Sequence, residues 1–327
     1  MFKRLSFFLG TVIVFIILVN YKVKAFPIGP DKYFIDLSVG KEKQESLFLY
    51  GRDDLNAPVT VFLYPAEMQK LGEDNDRKFS IPSSNDKASI ANWIRLNKTE
   101  VTIKPGETIE VKWTIAPSGL AKCGTNLGAI IVSDKAPDSN NSIQSVEVSI
   151  TSQVVSQIHL NIIADEKGNC INNGTTLRLV QFNLVKSWPI FTMDEAVKFE
   201  TKLENYGDYM AIDPEGYISL VGINQKNNLP FNQEQLDIYP NTIRRFETIY
   251  TTNFPVEGNF FQKLLYEIRN FKIGKYEAKL GVSKNVQPAI QASVTYWVFP
   301  WRTILLALVI LWIFSIIIIW KNKRKRY

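Results

Sequence analysis

The sequence predicts an all-β protein with two immunoglobulin-like β-sandwich domains, an N-terminal signal peptide and one C-terminal transmembrane helix. Segments in which apolar and polar residues alternate recur through the middle of the chain, with turn residues roughly every 8–12 residues, as in a β-sandwich. About 270 of the 327 residues lie between two apolar terminal segments, which suits two ordinary domains. Residues 303–320 carry no formal charge and would reach about 27 Å as a helix, close to the hydrocarbon thickness of a bilayer.

The N-terminus has the plan of a secretory signal. A short basic start precedes an apolar run over residues 5–19, and Val23 and Ala25 provide the small residues that a signal peptidase favours. These features predict a signal peptide over residues 1–25. Two lysines follow the apolar run and leave open an uncleaved signal anchor. In either case the middle of the chain is expected on the outer side of the membrane.

The C-terminal apolar segment predicts the orientation of the chain. We expect a transmembrane helix over residues 299–320, with Trp297 and Trp301 at its outer end and Trp320 at its inner end, where amphipathic rings prefer the headgroup level. Residues 321–327 are strongly basic, and an excess of Lys and Arg beside a span marks the cytoplasmic side. The sequence thus predicts a single-pass protein of the cell membrane with a cytoplasmic C-terminus. The basic residues that predict this topology are Lys321, Lys323, Arg324, Lys325 and Arg326.

The formal net charge of the chain is +6, and its positive sign comes from the basic residues at the two ends. The tail contributes five basic residues and the N-terminal segment four, with no acid in either, so the part between them carries −3. Its Lys and Arg residues are not clustered as they are in nucleic-acid-binding proteins. We therefore expect no nucleic acid partner.

The first domain is predicted over residues 26–156 and consists of short strands. Its clearest turn is at Pro105 and Gly106, a fixed φ followed by a residue that tolerates a positive φ. Residues 67–87 are polar and show no periodicity, so we predict a long exposed loop there. The predicted strands are residues 33–39, 46–50, 59–64, 93–96, 100–103, 108–115, 127–132 and 145–150.

These segments carry a resemblance to a known family. The series YFIDLSV, LFLYGRDDLNAPVTVFLYPA, VTIKPGETIEVKWTIAP, LGAIIVSD and IHLNIIAD, within about residues 31–165, resembles the first extracellular domain of bacterial membrane-anchored surface proteins of the WxL-interacting type. The resemblance implies a signal peptide, two immunoglobulin-like domains, one C-terminal span and a Lys-rich tail. No Trp-x-Leu triplet occurs, so the chain does not look like the partner of those proteins.

The second domain is predicted over residues 157–298. Its segments KFETKLENYGDYMAIDPEGYISLVG, LDIYPNTIRRFETIY, IGKYEAKLGV and ASVTYWVFPW resemble the membrane-proximal immunoglobulin-like domain of the same proteins, in which the last strand runs straight into the span. Residues 259–271 break the β pattern, because their apolar residues recur at helical spacing and predict a short amphipathic helix. We expect this helix to pack on its own sandwich, and contact with the membrane surface or a partner is the alternative.

Cys123 and Cys170 are the two cysteines of the chain. In an oxidising compartment they could pair, but domains of this size can bury a core without a disulfide, so the sequence leaves the bond open. A bond between them would cross the predicted boundary between residues 156 and 157 and restrain one domain against the other.

The sequence contains no recognisable catalytic or metal-binding pattern. His159 is the only histidine, and no Gly-x-Ser-x-Gly elbow or Cys–His pairing accompanies it, so we interpret it as a structural imidazole on a strand. One histidine and two separated cysteines do not supply a zinc site, and there is no Gly-rich phosphate loop. The prediction is a protein that is not an enzyme, with no catalytic residue, no cofactor and no metal.

The domain plan predicts, by analogy, a cell-surface binding or adhesion protein. Its expected partner is a surface protein, a host ligand or a cell-wall polymer, bound at sandwich edges and loops, with residues 67–87 as the candidate surface. The alternative is a structural or accessory subunit of a membrane complex, in which the span and the helix at residues 260–271 would make the contacts. A span in such a complex favours polar residues on one face, and only Ser315 qualifies. An envelope hydrolase, which would need a carboxylate pair in a cleft, is the third hypothesis.

Overall fold

The structure is a computed structural model. The predicted signal peptide at residues 1–25, the predicted strand at 145–150 and the tail residues Lys325 and Arg326 lie outside the part of the chain that it describes. The described residues are 27–53, 57–74, 76–137, 153–165, 168, 170, 175–222, 225–284 and 289–324.

The chain divides into two compact units. The first comprises Met1–Gln69 and Arg77–Ile171, and the second comprises Lys70–Asp76 and Asn172–Tyr327. Both consist mainly of β-strands, so the prediction of an all-β protein is confirmed.

The first unit is a sandwich of two β-sheets around one hydrophobic core. Its described strands are β1 (Ile28–Gly29), β2 (Lys32–Ser38), β3 (Lys43–Tyr50), β4 (Val59–Leu71), β5 (Asp76–Ser80), β6 (Ile94–Leu96), β7 (Glu100–Ile103), β8 (Thr108–Ile115), β9 (Gly124–Ser133) and β10 (Gln153–Ala164). A 3₁₀ turn, Ile90–Trp93, precedes β6. One sheet has the order β1-β3-β8-β6, and the other has the order β2-β10-β9-β4-β5 with β7 paired to β4.

The two-residue period of the sequence explains these strands. In β8, Val111, Trp113 and Ile115 are buried, while the residues between them face outward or lie partly exposed. Trp113 is among the largest fully buried side chains, and its ring meets that of Tyr33 from β2 edge to face, with centroids 4.9 Å apart. Apolar residues at alternate positions thus supply the core from both sheets.

Strand β10 closes the first unit. It pairs antiparallel with β9 and parallel with β2, and the predicted domain boundary between residues 156 and 157 falls inside it. The structure therefore places the boundary after Ile171 rather than after residue 156. Ile158, Leu160 and Ile162 of β10 are buried in the core of the first unit.

Cys123 and Cys170 form a disulfide. Both belong to the first unit, and Cys170 packs against the core of that unit. The expectation that a bond between them would join two domains is wrong, because β10 keeps the chain within the first unit as far as Ile171. The bond closes a loop inside one sandwich.

The second unit is also built from two sheets around one core. Its described strands are β11 (Leu177–Leu184), β12 (Ile190–Thr192), β13 (Val197–Asn205), β14 (Glu215–Gly222), β15 (Gln225–Phe231), β16 (Thr242–Tyr250), β17 (Gly274–Lys284) and β18 (Ile290–Phe299). The smaller sheet has the order β11-β13-β16, and the larger has the order β12-β18-β17-β14-β15. Here too an early strand pairs parallel with the last one, β12 with β18.

Residues 67–87 do not form a long loop, and that prediction is wrong. Strand β4 continues to Leu71 and pairs with β5, with Gly72 in the left-handed region (φ 70°) between them. Ala66 and Met68 are buried, so a short alternation exists that the surrounding polar residues conceal. Residues 81–87, beyond Ser80, are irregular.

Two helices complete the second unit. Helix α1 (Phe260–Arg269) confirms the helix predicted at residues 259–271, and a capping box between Asn259 and Gln262 starts it. Helix α2 (Trp301–Arg324) follows β18 with Pro300 between them. Within the described residues it is the one helix long and apolar enough to cross a membrane, over Trp301–Asn322, and its apolar side chains are not covered by the protein.

Candidate functional site

Strand β16 forms one edge of the three-stranded sheet of the second unit. It pairs with β13 along its whole length, from Thr242 opposite Asn205 to Tyr250 opposite Val197. Within the described residues no strand pairs with its other side. The backbone N–H and C=O groups on that side are therefore not used by the sheet.

One hydrogen bond shows which groups of β16 face outward. The N–H of Arg245 donates to the carbonyl oxygen of Glu73, 3.0 Å away, in the Lys70–Asp76 segment of the same unit. Because the backbone groups of alternate residues point to the same side of a strand, those of Glu247 and Ile249 face the same way. The side chains of these two residues are exposed as well. The C-terminal half of β16 thus presents an accessible strand edge.

A fixed loop lies next to this edge. Asn232 is buried in the left-handed conformation (φ 57°). Its amide group donates to the carboxylate of Asp213 and to the carbonyl oxygens of Pro214 and Leu236, while its Oδ1 accepts the N–H of Leu236. Because both ends of the Asn232 side chain are bonded, the loop has one defined shape.

Strand β16 and this loop border a groove of about 390 Å³. That volume lies within the usual range of ligand-binding clefts. Its apolar members are Pro230, Leu236, Phe246 and Ile249, and its charged members have both signs. The lining residues are Asp74, Pro230, Asn232, Gln233, Glu234, Leu236, Arg244, Arg245, Phe246, Glu247, Thr248 and Ile249.

Two salt bridges of the 70–76 segment lie at or beside the groove. Arg245 Nη2 lies 2.7 Å from Asp74 Oδ1, and Lys202 Nζ lies 2.6 Å from Glu73 Oε2. The hydrogen bond to Glu73 raises the pKa of Lys202. Pairs this exposed contribute little to stability, so they position the segment without locking it. Glu73 and Asp74 come from the 67–87 stretch that the sequence predicts as the candidate surface, and Asp74 lines the groove.

A buried network joins α1 to the first turn of α2. Arg302 Nη1 donates to Glu267 Oε1 at 2.7 Å, and Arg302 Nη2 donates to Asp194 Oδ2 at 2.9 Å. The N–H and hydroxyl of Thr303 donate to the other carboxylate oxygen of Glu267, at 3.0 and 3.2 Å. The Glu267 carboxylate, which is fully buried, therefore has partners for both oxygens and lies at the positive end of the α2 dipole.

Two further features hold Arg302 in this network. Its guanidinium lies over the rings of Trp301 and Phe254, at 4.5 and 5.2 Å from their centroids. Burial acts to raise the pKa of Asp194, but hydrogen bonds from Arg302 and Thr192 outweigh it and hold that pKa below its usual value. The Asp194 carboxylate of the network is therefore ionised at neutral pH.

Helix α1 leaves most of its apolar residues uncovered. Leu264 and Glu267 are its buried residues, whereas Phe261, Leu265 and Ile268, called here the α1 stripe, are exposed. These three recur at i, i+4 and i+7 and lie on one side of the helix. The face that carries Glu267 is bonded to the first turn of α2. The expectation that the helix packs on its own sandwich is wrong for the stripe, and contact of the stripe with the membrane surface or a partner stays a prediction.

Other exposed apolar side chains lie at the start of α2. Trp297 and Phe299 are exposed on β18, and Ile190 of β12 pairs with Trp297. The N–H of Trp297 donates to the carbonyl oxygen of Pro189, next to the exposed Trp188. The ring of Phe260 in α1 lies 6.4 Å from that of Trp301.

The other predicted residues are placed as follows. His159 is buried on β10 of the first unit, its ring edge to face with that of Phe34 at 4.9 Å. Burial lowers its pKa to about 4, and the charges of Lys32 and Arg77 act in the same direction, so it is neutral at pH 7. Trp301 and Trp320 lie near the two ends of α2 and are exposed, and their role at an interface stays a prediction.

Apart from the groove beside β16, the described residues give little support for a small-molecule or metal site. A cavity of about 30 Å³ in the second unit, beside Tyr250, Tyr276 and Tyr296, has room for about one water. No group of three or more His, Cys, Asp or Glu side chains converges within the part of the chain that the structure describes.

The sequence alone did not point to the β16 edge, the Asn232 loop or the Arg302 network. One signal could have found the last of these. Glu267 follows Phe260 and Leu264 at i+7 and i+3, so it falls on an apolar face of the predicted helix. A charge in that position requires a buried partner of opposite charge.

No family model and no curated protein matches the chain. Solved structures with a similar fold include a chain of the chaperone–tip adhesin complex of CFA/I fimbriae, at 11% identity and a TM-score of 0.36 over 85% of this chain and 100% of that one. The class 5 fimbriae chaperone CfaA is 12% identical, with a TM-score of 0.36 over 84% and 99%. The Escherichia coli chaperone DraB is 9% identical, with a TM-score of 0.33 over 84% and 100%.

Proposed function

We propose that this chain is a single-span membrane protein whose β-sandwich units lie outside the membrane and bind an extended segment of a protein partner at the edge of β16, without catalysing a reaction. The observation that carries the proposal is the accessible edge at Glu247 and Ile249 beside the groove of about 390 Å³. Membrane anchoring is supported by the uncovered apolar surface of α2 and by the basic residues at its C-terminal end.

A partner segment would bind by adding a strand. Its main chain would exchange hydrogen bonds with the outward N–H and C=O groups of β16, which supply affinity without regard to sequence. Alternate side chains of the segment would point into the groove towards Leu236 and Pro230, and its charged residues would meet Arg245 or Glu247. Shape and charge in the groove would thus select the partner.

The lining of the groove favours a polypeptide over a polysaccharide. A sugar ring is commonly held on the exposed face of an aromatic side chain. The aromatic residue of this groove, Phe246, is buried and offers no such face. Accessible main-chain groups and side chains of both charges suit a peptide segment instead.

The span gives the accessory-subunit hypothesis no specific support. Its one candidate contact, the hydroxyl of Ser315, donates to the carbonyl oxygen of Leu311 at 2.8 Å within the same helix. That bond satisfies the group without a neighbouring helix.

The proposal can be tested with a photo-crosslinking residue, p-benzoylphenylalanine, introduced at Ile249 of the full chain in cells of its source organism. The same residue at Lys279, exposed on β17, is the control for non-specific capture. In the Ile249 background, Glu247→Pro removes an outward N–H and blocks strand addition, whereas Glu247→Ala keeps that N–H.

We expect one protein adduct at position 249 that is absent at position 279. Glu247→Pro should weaken it about tenfold relative to Glu247→Ala, because a lost main-chain bond and a steric block cost at least about 1.4 kcal/mol. Equal adducts in the two variants, with equal amounts of folded protein, would show that strand addition at β16 is not the mode of binding.

A further inference from the structure

Helix α1 and the first turn of α2 form a single joint. The carboxylate of Glu267 accepts hydrogen bonds from Arg302 and from both donors of Thr303, all within the first turn of α2. The Phe260 and Trp301 rings meet at the same place. The position of α1 along the axis of α2 is therefore fixed by buried groups whose hydrogen bonds are satisfied.

The length of the apolar segment leaves little freedom for where a bilayer could lie on α2. Residues 303–320 reach about 27 Å as a helix, and a hydrocarbon core is about 30 Å thick. Lys321 and Arg324 lie at one end of this segment, and the Arg302 network lies at the other. If α2 spans a bilayer, its first turn has to lie at the boundary between lipid chains and headgroups.

The α1 stripe lies beside that boundary and has the chemistry to enter it. Phe261 is 72% exposed, and Leu265 and Ile268 are exposed on the same side of the helix. Arg269 on the same helix suits the phosphate groups of lipids. Trp297 and Phe299 add exposed aromatic rings at the start of α2, where such side chains are favoured.

We propose that α1 lies in the outer headgroup region of the bilayer, with Phe261, Leu265 and Ile268 inserted towards the lipid chains. This inference rests on the proposed membrane anchoring through α2. Because α1 is bonded to the first turn of α2, whose apolar side chains are uncovered, one occupant, the lipid, would cover both the stripe and α2. The second unit is then held to the membrane by two elements, and the α1 helix sets its orientation.

The test uses nitroxide spin labels on the full chain in nanodiscs of phosphatidylcholine and phosphatidylglycerol. The native cysteines are joined to each other, so single introduced cysteines take the label. The labelled variants are Phe261→Cys in the stripe, Leu308→Cys in the middle of α2 and Lys279→Cys in the middle of β17. The readout is the ratio of the collision rate with oxygen, which concentrates in lipid, to that with a water-soluble nickel chelate.

We expect the ratio at position 261 to be several-fold higher than at position 279 and to approach that at position 308. A low ratio at 261 with a high ratio at 308 would overturn the inference and leave the anchoring intact. A label at 261 shielded from both reagents would mean that protein covers the stripe, which also overturns it. A low ratio at 308 would show that the anchoring itself fails, and the inference with it.

Discussion

The second unit holds two pairs of opposite charges in contrasting surroundings. At the start of α2, the side chains of Arg302 and Glu267 are 7% and 0% exposed. At the rim of the groove, those of Arg245 and Asp74 are 37% and 56% exposed. The shortest N–O distance is 2.7 Å in both pairs, so geometry does not distinguish them and burial does.

Burial decides what each pair can do. When one partner of a buried pair is removed, the other is left as an uncompensated charge away from water, whereas the partner in an exposed pair returns to water. The Arg302 network is therefore suited to a permanent joint between α1 and α2. The Asp74–Arg245 pair can open at little cost, so the charges of a bound segment could replace either member.

The largest expected effect is that of Arg302→Leu. It leaves Glu267 buried without its cation, and we expect the free energy of opening of α1 to fall by about 3–5 kcal/mol. Hydrogen exchange followed by mass spectrometry on the detergent-solubilised full chain measures this directly. The amides of Phe260–Arg269 should exchange at least about 100-fold faster than in the unchanged protein.

Two variants control this experiment. Arg269→Leu removes an exposed cation from the same helix and should change exchange only slightly. Arg302→Leu combined with Glu267→Leu removes both buried charges and should recover most of the protection. If Arg302→Leu and Arg269→Leu behaved alike, the contrast between buried and exposed pairs would not hold.

His159 extends the comparison of buried and exposed charges. Burial and the positive charges of Lys32 and Arg77 disfavour its charged form, whereas the buried charges of Arg302 and Glu267 attract each other. The pKa of His159 is about 4 in the folded protein and about 6.5 when unfolded, so between these pH values the unfolded state binds the extra proton. Stability therefore falls as the pH is lowered from about 6.5 to about 4. The two pKa values correspond to a loss of about 3 kcal/mol from this group.

The measurement is urea unfolding of the solubilised full chain at pH 7 and pH 4, with His159→Gln as the matched variant. The variant lacks the titrating group, so the pH-dependent part of its difference from the unchanged protein belongs to the histidine. We expect the unchanged protein to lose about 3 kcal/mol more than the variant between the two pH values. Equal losses would mean that the histidine does not titrate in this range on folding.

The sequence predicts those strands and helices that the pattern of their own residues determines. Strand β8 follows from alternating Val111, Trp113 and Ile115, and α1 follows from helical spacing and the cap at Asn259. The sequence does not predict the hairpin of β4 and β5, because its alternation of buried and exposed residues, at Ala66 and Met68, is short and surrounded by polar residues. Local pattern thus predicts an element where its buried face is long enough to be recognised.

The candidate site depends on relations that no local pattern carries. Whether β16 is an edge or a central strand is decided by which strands pair with it, and its own sequence reads the same in either case. Arg302 and Glu267 are 35 positions apart, and the third member, Asp194, is 108 positions from Arg302. Sequence spacing could indicate that Glu267 needs a partner, but only the fold supplies that partner.

The smallest expected effect is that of Asp74→Asn, which breaks the exposed pair at the groove. We expect the thermal midpoint of the full chain to move by no more than about 2 °C, because Arg245 remains hydrated and the 70–76 segment keeps its backbone bond from Arg245 to Glu73. Asp76→Asn, in the same segment, controls for the change in net charge. If Asp74→Asn lowered the thermal midpoint as much as Arg302→Leu does, the Asp74–Arg245 pair would be a fixed structural contact and not one that can open. A ligand can replace Asp74 or Arg245 in this pair only if breaking the pair costs little stability. The proposed binding mode therefore requires a small change in the thermal midpoint.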